Sequence, residues 1–196
     1  MLFRSGLSAK PGERKLQILQ TLAAMLEVPR AEKITTAALA AKLDVSEAAL
    51  YRHFASKAQM FEGLIEFIET TLFGLINKIT TETTDGLAQA TQTVAMLLNF
   101  AERNPGMTRV LTGDALVNED ERLQTRINQL HDRLEASLKQ SLRLAEVAGG
   151  HGGIEVGAHA NLLLCYVVGR WQLFAKTRFK RTPSEQWDAQ RALLLG

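Results

Sequence analysis

Ile34-Thr35-Thr36-Ala37-Ala38-Leu39-Ala40-Ala41-Lys42-Leu43-Asp44-Val45-Ser46-Glu47-Ala48-Ala49-Leu50-Tyr51-Arg52-His53-Phe54 is the stretch that decides the fold. Its spacing predicts two short helices, over residues 36–43 and 47–54, joined by a tight turn. Leu39, Ala40, Leu43, Val45, Leu50 and Phe54 fall where the helices would share one small core, and Ala40 is small where they must cross closely. Asp44 occupies the turn, where aspartate tolerates unusual backbone angles better than most side chains. Ser46 suits the N-cap of the second helix, because its hydroxyl accepts from an amide that the helix leaves unpaired. This is helix-turn-helix spacing. It leaves Ser46, Glu47, Ala48, Ala49, Tyr51, Arg52 and His53 toward the surface, with Lys57 just beyond.

A helix with such small exposed residues fits a DNA major groove at close range. Tyr51 and His53 are able to donate to phosphates or stack at the groove edge. Lys57 stands at a helix start, where its charge and the free backbone amides both favour a phosphate. Spacing alone fits a plain helical hairpin with a solvated face equally well. Charge adds a second observation. The chain of 196 residues carries 23 Lys+Arg against 21 Asp+Glu, a formal +2. Residues 1–60 hold nine Lys+Arg and five Asp+Glu, so the remainder is slightly acidic. A basic end on a near-neutral body suits a polyanion. Joined to the Tyr-Arg-His-Phe-x-Ser-Lys run, it points to DNA.

Outward from this motif the periodicity is helical nearly throughout, and the expected class is all-α with about nine helices. Leu16, Leu19, Leu22, Ala23 and Leu26 mark a first amphipathic helix that stops before Val28-Pro29. A long helix starts near Lys57 and runs to about Thr80, with Ser56 and Gln59 as a capping box. Helices are expected over residues 87–103, 108–117, 119–146, 155–177 and 184–195. Asn104-Pro105-Gly106 reads as a stop, and Pro183 as a first helical position. Residues 148–153, Ala-Gly-Gly-His-Gly-Gly, read as a flexible loop. The segment 119–146 is either a coiled coil or a long helix crossing a regulatory domain. Trp171, Phe174 and Phe179 with Tyr166 and Val167 make the late helix apolar, for a dimer bundle or for ordinary core.

Hydrophobic residues make up 46% and charged residues 22%, which argues against disorder. The single cysteine, Cys165, forms no internal disulfide, so a stapled secreted fold is excluded. Residues 1–6 are not backed by an apolar core of signal-peptide length, and the apolar stretch 160–168 is too short to span a bilayer, so a cytoplasmic protein is expected. His53, His131, His151 and His159 do not have metal-ligand spacing, and no metal or cofactor is expected. No phosphate-cradling glycine loop or nucleophile elbow is present, and an enzyme is not expected.

Leu50-Tyr51-Arg52-His53-Phe54-Ala55-Ser56-Lys57, after Val45-Ser46, resembles the TetR family of dimeric DNA-binding proteins. Further blocks resemble the nucleoid occlusion factors within it: Ile34 to Ala37, Leu64 to Glu69, Glu102 to Gly106, Leu111 to Gly113 and Arg126 to Leu130. The resemblance implies a TetR-like fold, with a DNA-binding domain and short basic arm over residues 1–56 and a helical dimerisation and partner-binding domain over 57–196. It implies a nucleoid-associated homodimer on palindromic chromosomal DNA, with room for more than one dimer per site, that antagonises ring assembly by the tubulin-like GTPase FtsZ. Thr35, Thr36, Tyr51, His53 and Lys57 match the family's DNA-binding segment, and Phe67, Arg103 and Asn104 match its partner surface. The chain departs from the family pattern at Leu75 and Asn99, in place of a basic residue and a glycine, and at Ala38 and Asp44, in place of a lysine and a turn glycine. The alternative function is a ligand-responsive transcriptional repressor, which requires a roomy apolar cavity.

Overall fold

The computed structural model describes residues 11–28, 34–149 and 155–195. The expected basic arm at Arg4 and Lys10 and most of the glycine-rich loop lie outside the described residues. Among the described residues nine α-helices follow in order: α1 (Pro11–Leu26), α2 (Thr36–Lys42), α3 (Glu47–Tyr51), α4 (Lys57–Glu82), α5 (Gly86–Arg103), α6 (Pro105–Leu111), α7 (Glu121–Val147), α8 (Val156–Lys176) and α9 (Trp187–Leu195). A 3-10 turn, Asp114–Leu116, separates α6 from α7, and no strand occurs among the described residues. Arg14 and Lys15, expected in the arm, belong to α1.

Helices α1 to α3 close on the first turns of α4. Ile18, Leu22 and Leu26 of α1 are buried with Leu39, Leu50, Met60 and Phe61. Leu16 does not join them; it is 40% exposed, and Ile18 takes the inward place on this side of the helix. The α4 start is a reciprocal cap: Gln59 N donates to Ser56 Oγ at 3.1 Å, and Ala55 N donates to Gln59 Oε1 at 2.9 Å. The α4 helix then continues into the second bundle, so one rigid rod belongs to both halves of the fold.

In that bundle α5, α7 and α8 stack beside α4. Leu123, Ile127, Leu130, Leu134, Leu138 and Leu142 of α7 are all buried within the subunit, so α7 is the long helix crossing the regulatory domain. Its N-terminus is capped by Asp120, whose carboxyl is held down to about 2 by the Arg122 side chain and backbone amide. The α8 N-terminus is capped by Glu155, held below the usual carboxylate range by the Gly157 and Ala158 amides. The bundle has a direction. Arg126 reaches from the first turns of α7 to Glu69 and the Glu62 carbonyl near the start of α4, and Ser141 meets Gln89 near the start of α5. The starts of α4 and α7 and the ends of α5 and α8 therefore share the end that carries α1 to α3.

Three boundaries differ from expectation for physical reasons. Asn104-Pro105-Gly106 interrupts the helix without stopping it for long: Pro105 opens α6 as its first residue, and the expected helix at 108–117 is α6 plus the 3-10 turn. The α5 helix starts at Gly86, where a Cβ would collide with the Ser141 carbonyl and the Ala145 amide of α7. The last helix starts at Trp187 rather than Ser184, because buried Arg170 takes the carbonyls of Thr182 and Pro183 at 2.8 Å each. The aromatic face of α8 is also subunit core: Trp171 is buried and donates Nε1–H to the Leu97 carbonyl at 3.1 Å. What α8 leaves exposed is the opposite stripe of Leu162, Cys165, Gly169 and Leu173.

Candidate nucleic-acid interface

The two-helix unit is organised from its caps outward. Thr35 is the N-cap of α2 and accepts from Ala38 N at 3.1 Å; Ser46 is the N-cap of α3 and accepts from Ala49 N at 3.3 Å. Between them Asp44 takes φ 53°, the left-handed conformation that the turn demands, and Val45 N donates to the Ala40 carbonyl at 3.0 Å. Leu39, Ala40, Leu50 and Phe54 are buried, while Leu43 and Val45 are half-buried against them. A helix of five residues is too short to be stable by itself, so this core is what fixes the direction of α3.

On the outer side Thr35, Ser46, Glu47, Ala48, Tyr51 and Arg52 are exposed, with Thr36, Ala49 and His53 half-buried beside them. Three of these side chains are tied together. Thr36 Oγ1 donates to Glu47 Oε2 at 2.5 Å, and Tyr51 OH donates to Thr36 Oγ1 at 3.4 Å. The α2 start and the α3 face are thus one surface, with Tyr51 oriented before any ligand arrives. Ala48 and Ala49 keep the face low enough for a base edge to come near.

Lys57 is the first residue of α4, and its ammonium has a partner within the subunit. Its ammonium lies 2.5 Å from Glu119 Oε1, with side chains 21% and 11% exposed, and 5.6 Å from the Phe61 ring centroid. It is therefore not a free cation awaiting phosphate but one held by a carboxylate from the segment ahead of α7. No local signal could reveal Glu119, since it is 62 residues away along the chain.

The other three residues lie elsewhere on the same end of the molecule. Phe67 is half-buried on α4 and packs against the core, as its place beside the main apolar face suggests. Arg103 ends α5 and is exposed, without a side-chain partner among the described residues. Asn104 donates from Nδ2 to the Phe100 carbonyl at 2.7 Å, which is the work of a helix terminator. Counted back from the α4–α5 turn, Phe67 and Arg103 stand at similar depths on adjacent antiparallel helices.

Comparison with known proteins shows the family and the fold. The description "Bacterial regulatory proteins, tetR family" matches residues 31–64, and "Tetracyclin repressor-like, C-terminal domain", of the SlmA-like type, matches residues 84–196. The chain is similar to the nucleoid occlusion factor SlmA of Alteromonas mediterranea, at 50% identity over 94% of this chain and 95% of that protein. It is similar to SlmA of Idiomarina loihiensis at 52% identity over 90% and 91%. Its fold is that of a TetR transcription regulator from Haloarcula marismortui, with a TM-score of 0.79, 17% identity and coverage of 94% and 97%. The fatty acid degradation regulator FadR from Bacillus halodurans gives 0.80, at 15% identity over 95% and 97%. With a helix-turn-helix presented by α2 and α3 and half of the residues shared with these relatives over nine-tenths or more of its length, the chain belongs to the SlmA nucleoid occlusion factors of the TetR family.

Proposed function

We propose that this chain is a sequence-specific DNA-binding nucleoid occlusion factor that, bound to chromosomal palindromes, antagonises FtsZ ring assembly over the nucleoid. The observation that carries the reading is the extent of the likeness: identity of 50% runs through the regulatory helices and not only through the helix-turn-helix. Residues 1–56 serve as the DNA-binding domain and 57–196 as the dimerisation and partner-binding domain. In DNA recognition α3 enters the major groove with Ser46, Glu47, Ala48, Ala49, Tyr51, Arg52 and His53, while Thr35 and Thr36 meet the backbone beside it. Lys57 reaches phosphate only by giving up Glu119.

The homodimer forms through the stripe that α8 leaves uncovered, with Leu162 52% and Leu173 38% exposed, and through Leu193 of α9, 86% exposed. A two-fold pairing of that face would cover apolar area that a lone subunit leaves in water. FtsZ is received near Phe67, Arg103 and Asn104, where an aromatic ring and an unpaired guanidinium lie near the DNA-binding end. Catalysis has no part in this scheme.

A ligand-responsive repressor would need an enclosed apolar cavity. Leu64, Ile65, Ile68, Leu97, Leu130 and Leu134 fill the middle of the regulatory bundle. A groove of about 510 Å³ between α4 and α7, lined by Asn77, Gln89, Ser137 and Gln140 among others, is open to solvent rather than enclosed. The test is sedimentation of FtsZ assembled with GTP, with the protein added alone or with its palindromic DNA. Polymer loss that requires DNA is the expected result. Unaltered polymer in both samples, with DNA binding intact, would return the chain to the repressor class.

A further inference from the structure

The passage from α8 to α9 is a cationic hook that the recognition surface described above does not use. Four of the six residues 176–181 are Lys or Arg, and Lys176, Arg178, Lys180 and Arg181 are all exposed. The nearby carboxylate, Glu185, is already drawn to Arg170 at 3.1 Å and to Arg181 at 3.4 Å. Lys176, Arg178 and Lys180 therefore have no carboxylate partner among the described residues. The dipole of α8 accounts for Lys176 in its last turn but not for the cations that follow.

The hook is built to hold its shape. Arg178 and Phe179 take φ 54° and 62°, two consecutive non-glycine residues in the left-handed region. A connection that needed only to leave a helix would place glycine there. Here the side chains are kept, and neighbouring bonds fix the strained backbone. Phe179 N donates to the Phe174 carbonyl at 2.8 Å, the two rings meet at 5.1 Å with their planes tilted by 56°, and Arg181 N donates to Thr177 Oγ1 at 3.1 Å.

Its place in the fold narrows the partner. Gln172 Nε2 ties the end of α8 to the Thr112 carbonyl after α6, at 3.1 Å, and Ser184 Oγ ties the far side of the hook to Glu102 Oε2 at 2.6 Å. Helix α6 in turn lies on α1, so the hook sits at the DNA-binding end of the regulatory bundle. Within residues 177–187 no apolar side chain stands exposed: Phe179, half-buried, is folded onto Phe174, and Pro183 and Trp187 are buried, while Leu173, one turn earlier, belongs to the exposed stripe of α8. Protein partners and membrane surfaces are held largely by apolar anchors, whereas a row of cations without them matches the repeating charge of a phosphate backbone. We propose that the 176–181 hook is a second, sequence-independent DNA-binding element that takes backbone phosphates of the duplex held by α3. This rests on the reading of the chain as a DNA-binding protein.

The experiment compares the full chain with its Arg178→Ala/Lys180→Ala variant by fluorescence anisotropy across a salt series. Two probes are used: a duplex selected by the wild-type protein from random sequence, and an unselected random duplex. Every phosphate no longer neutralised lowers the slope of log affinity against log salt by about 0.9, so the slope of the variant is shallower by roughly two units per protomer. For a dimer on its duplex this is roughly four units, so across a fourfold rise in salt the affinity of the wild-type protein falls roughly a hundredfold further than that of the variant, on both probes alike. The charge-keeping Arg178→Lys/Lys180→Arg variant retains the wild-type slope. An unchanged slope in the alanine variant, with its helical circular dichroism intact, overturns the proposal. So does abolition of the effect on FtsZ at an unchanged DNA slope, which would assign the hook to an acidic protein surface. Failure of the underlying DNA reading would look different: Tyr51→Ala would bind the selected duplex as tightly as wild type.

Discussion

Glu119→Gln separates two roles for the carboxylate that holds Lys57. The pair is 2.5 Å long and mostly shielded, with 21% and 11% of the side chains exposed. Unit charges about 4 Å apart at an effective dielectric near 20 attract by about 4 kcal/mol, most of which desolvation cancels. Breaking a fully buried pair costs about 3–5 kcal/mol, so for this partly exposed one a drop of about 1–2 kcal/mol in stability is expected, read as a lower urea midpoint. DNA binding should move the other way. If phosphate must displace Glu119, removing the charge returns that energy to the complex, and affinity rises about tenfold for each 1.4 kcal/mol. Anisotropy with a short palindromic duplex measures it. Weaker binding by Glu119→Gln would refute the reasoning, because it would mean that Glu119 orients Lys57 toward the backbone instead of competing for it.

Three other outcomes are expected. Tyr51→Ala or His53→Ala weakens specific DNA binding by about 1–3 kcal/mol, and an unchanged affinity for the cognate palindrome would remove α3 from the groove. Arg103→Glu leaves DNA affinity intact while abolishing the effect on FtsZ in sedimentation; disappearance of both together would indicate misfolding. His131 is half-buried beside Trp171, its shielded Nε2 has no hydrogen-bond partner among the described residues, and burial pushes its imidazole below the ordinary histidine range. The unfolded chain therefore takes up a proton that the folded chain refuses. Stability falls as pH drops through about 6.5, the ordinary value, toward the lowered folded one, and His131→Leu should flatten that part of a urea-midpoint profile.

The α2–α3 unit is legible in the sequence because every one of its requirements is local. Two caps, a left-handed turn residue and an apolar face at helical spacing are all contained in residues 34–54. The α7 stripe is legible for the same reason, since the period of a helix shows which side must be covered. What covers it is not legible. Trp171 suits a dimer interface or a core equally by composition, and only the placement of Leu97 against it settles the matter. The start of α9 departs from its sequence signal because a buried arginine on α8 captures carbonyls that a regular helix start would use. Leu16 departs from its stripe because Ile18, not Leu16, faces the core on this side of α1. For the candidate site the pattern repeats: Tyr51, His53 and Ser46 are short-range inferences, whereas the capture of Lys57 by Glu119 is a long-range pairing with no trace in the local sequence.

The junction between the two halves of the molecule bears on how DNA could matter to a distant partner. Helix α6 follows directly on Arg103 and Asn104, and its Gly106 lies so close to α1 that a Cβ would collide with the Ala23 carbonyl. Arg109 of α6 donates to the Leu26 carbonyl at 3.1 Å, closing the end of α1, and pairs with Asp114 at 2.6 Å. The segment after Asp114 supplies Glu119 to Lys57. The candidate partner surface, α6, the end of α1 and the candidate phosphate ligand are thus joined through the 3-10 turn and the irregular residues 117–120. Packed interfaces of this kind shift between discrete arrangements rather than bending smoothly. An exchange of Glu119 for phosphate at Lys57 would release one of the contacts that hold this segment against the start of α4.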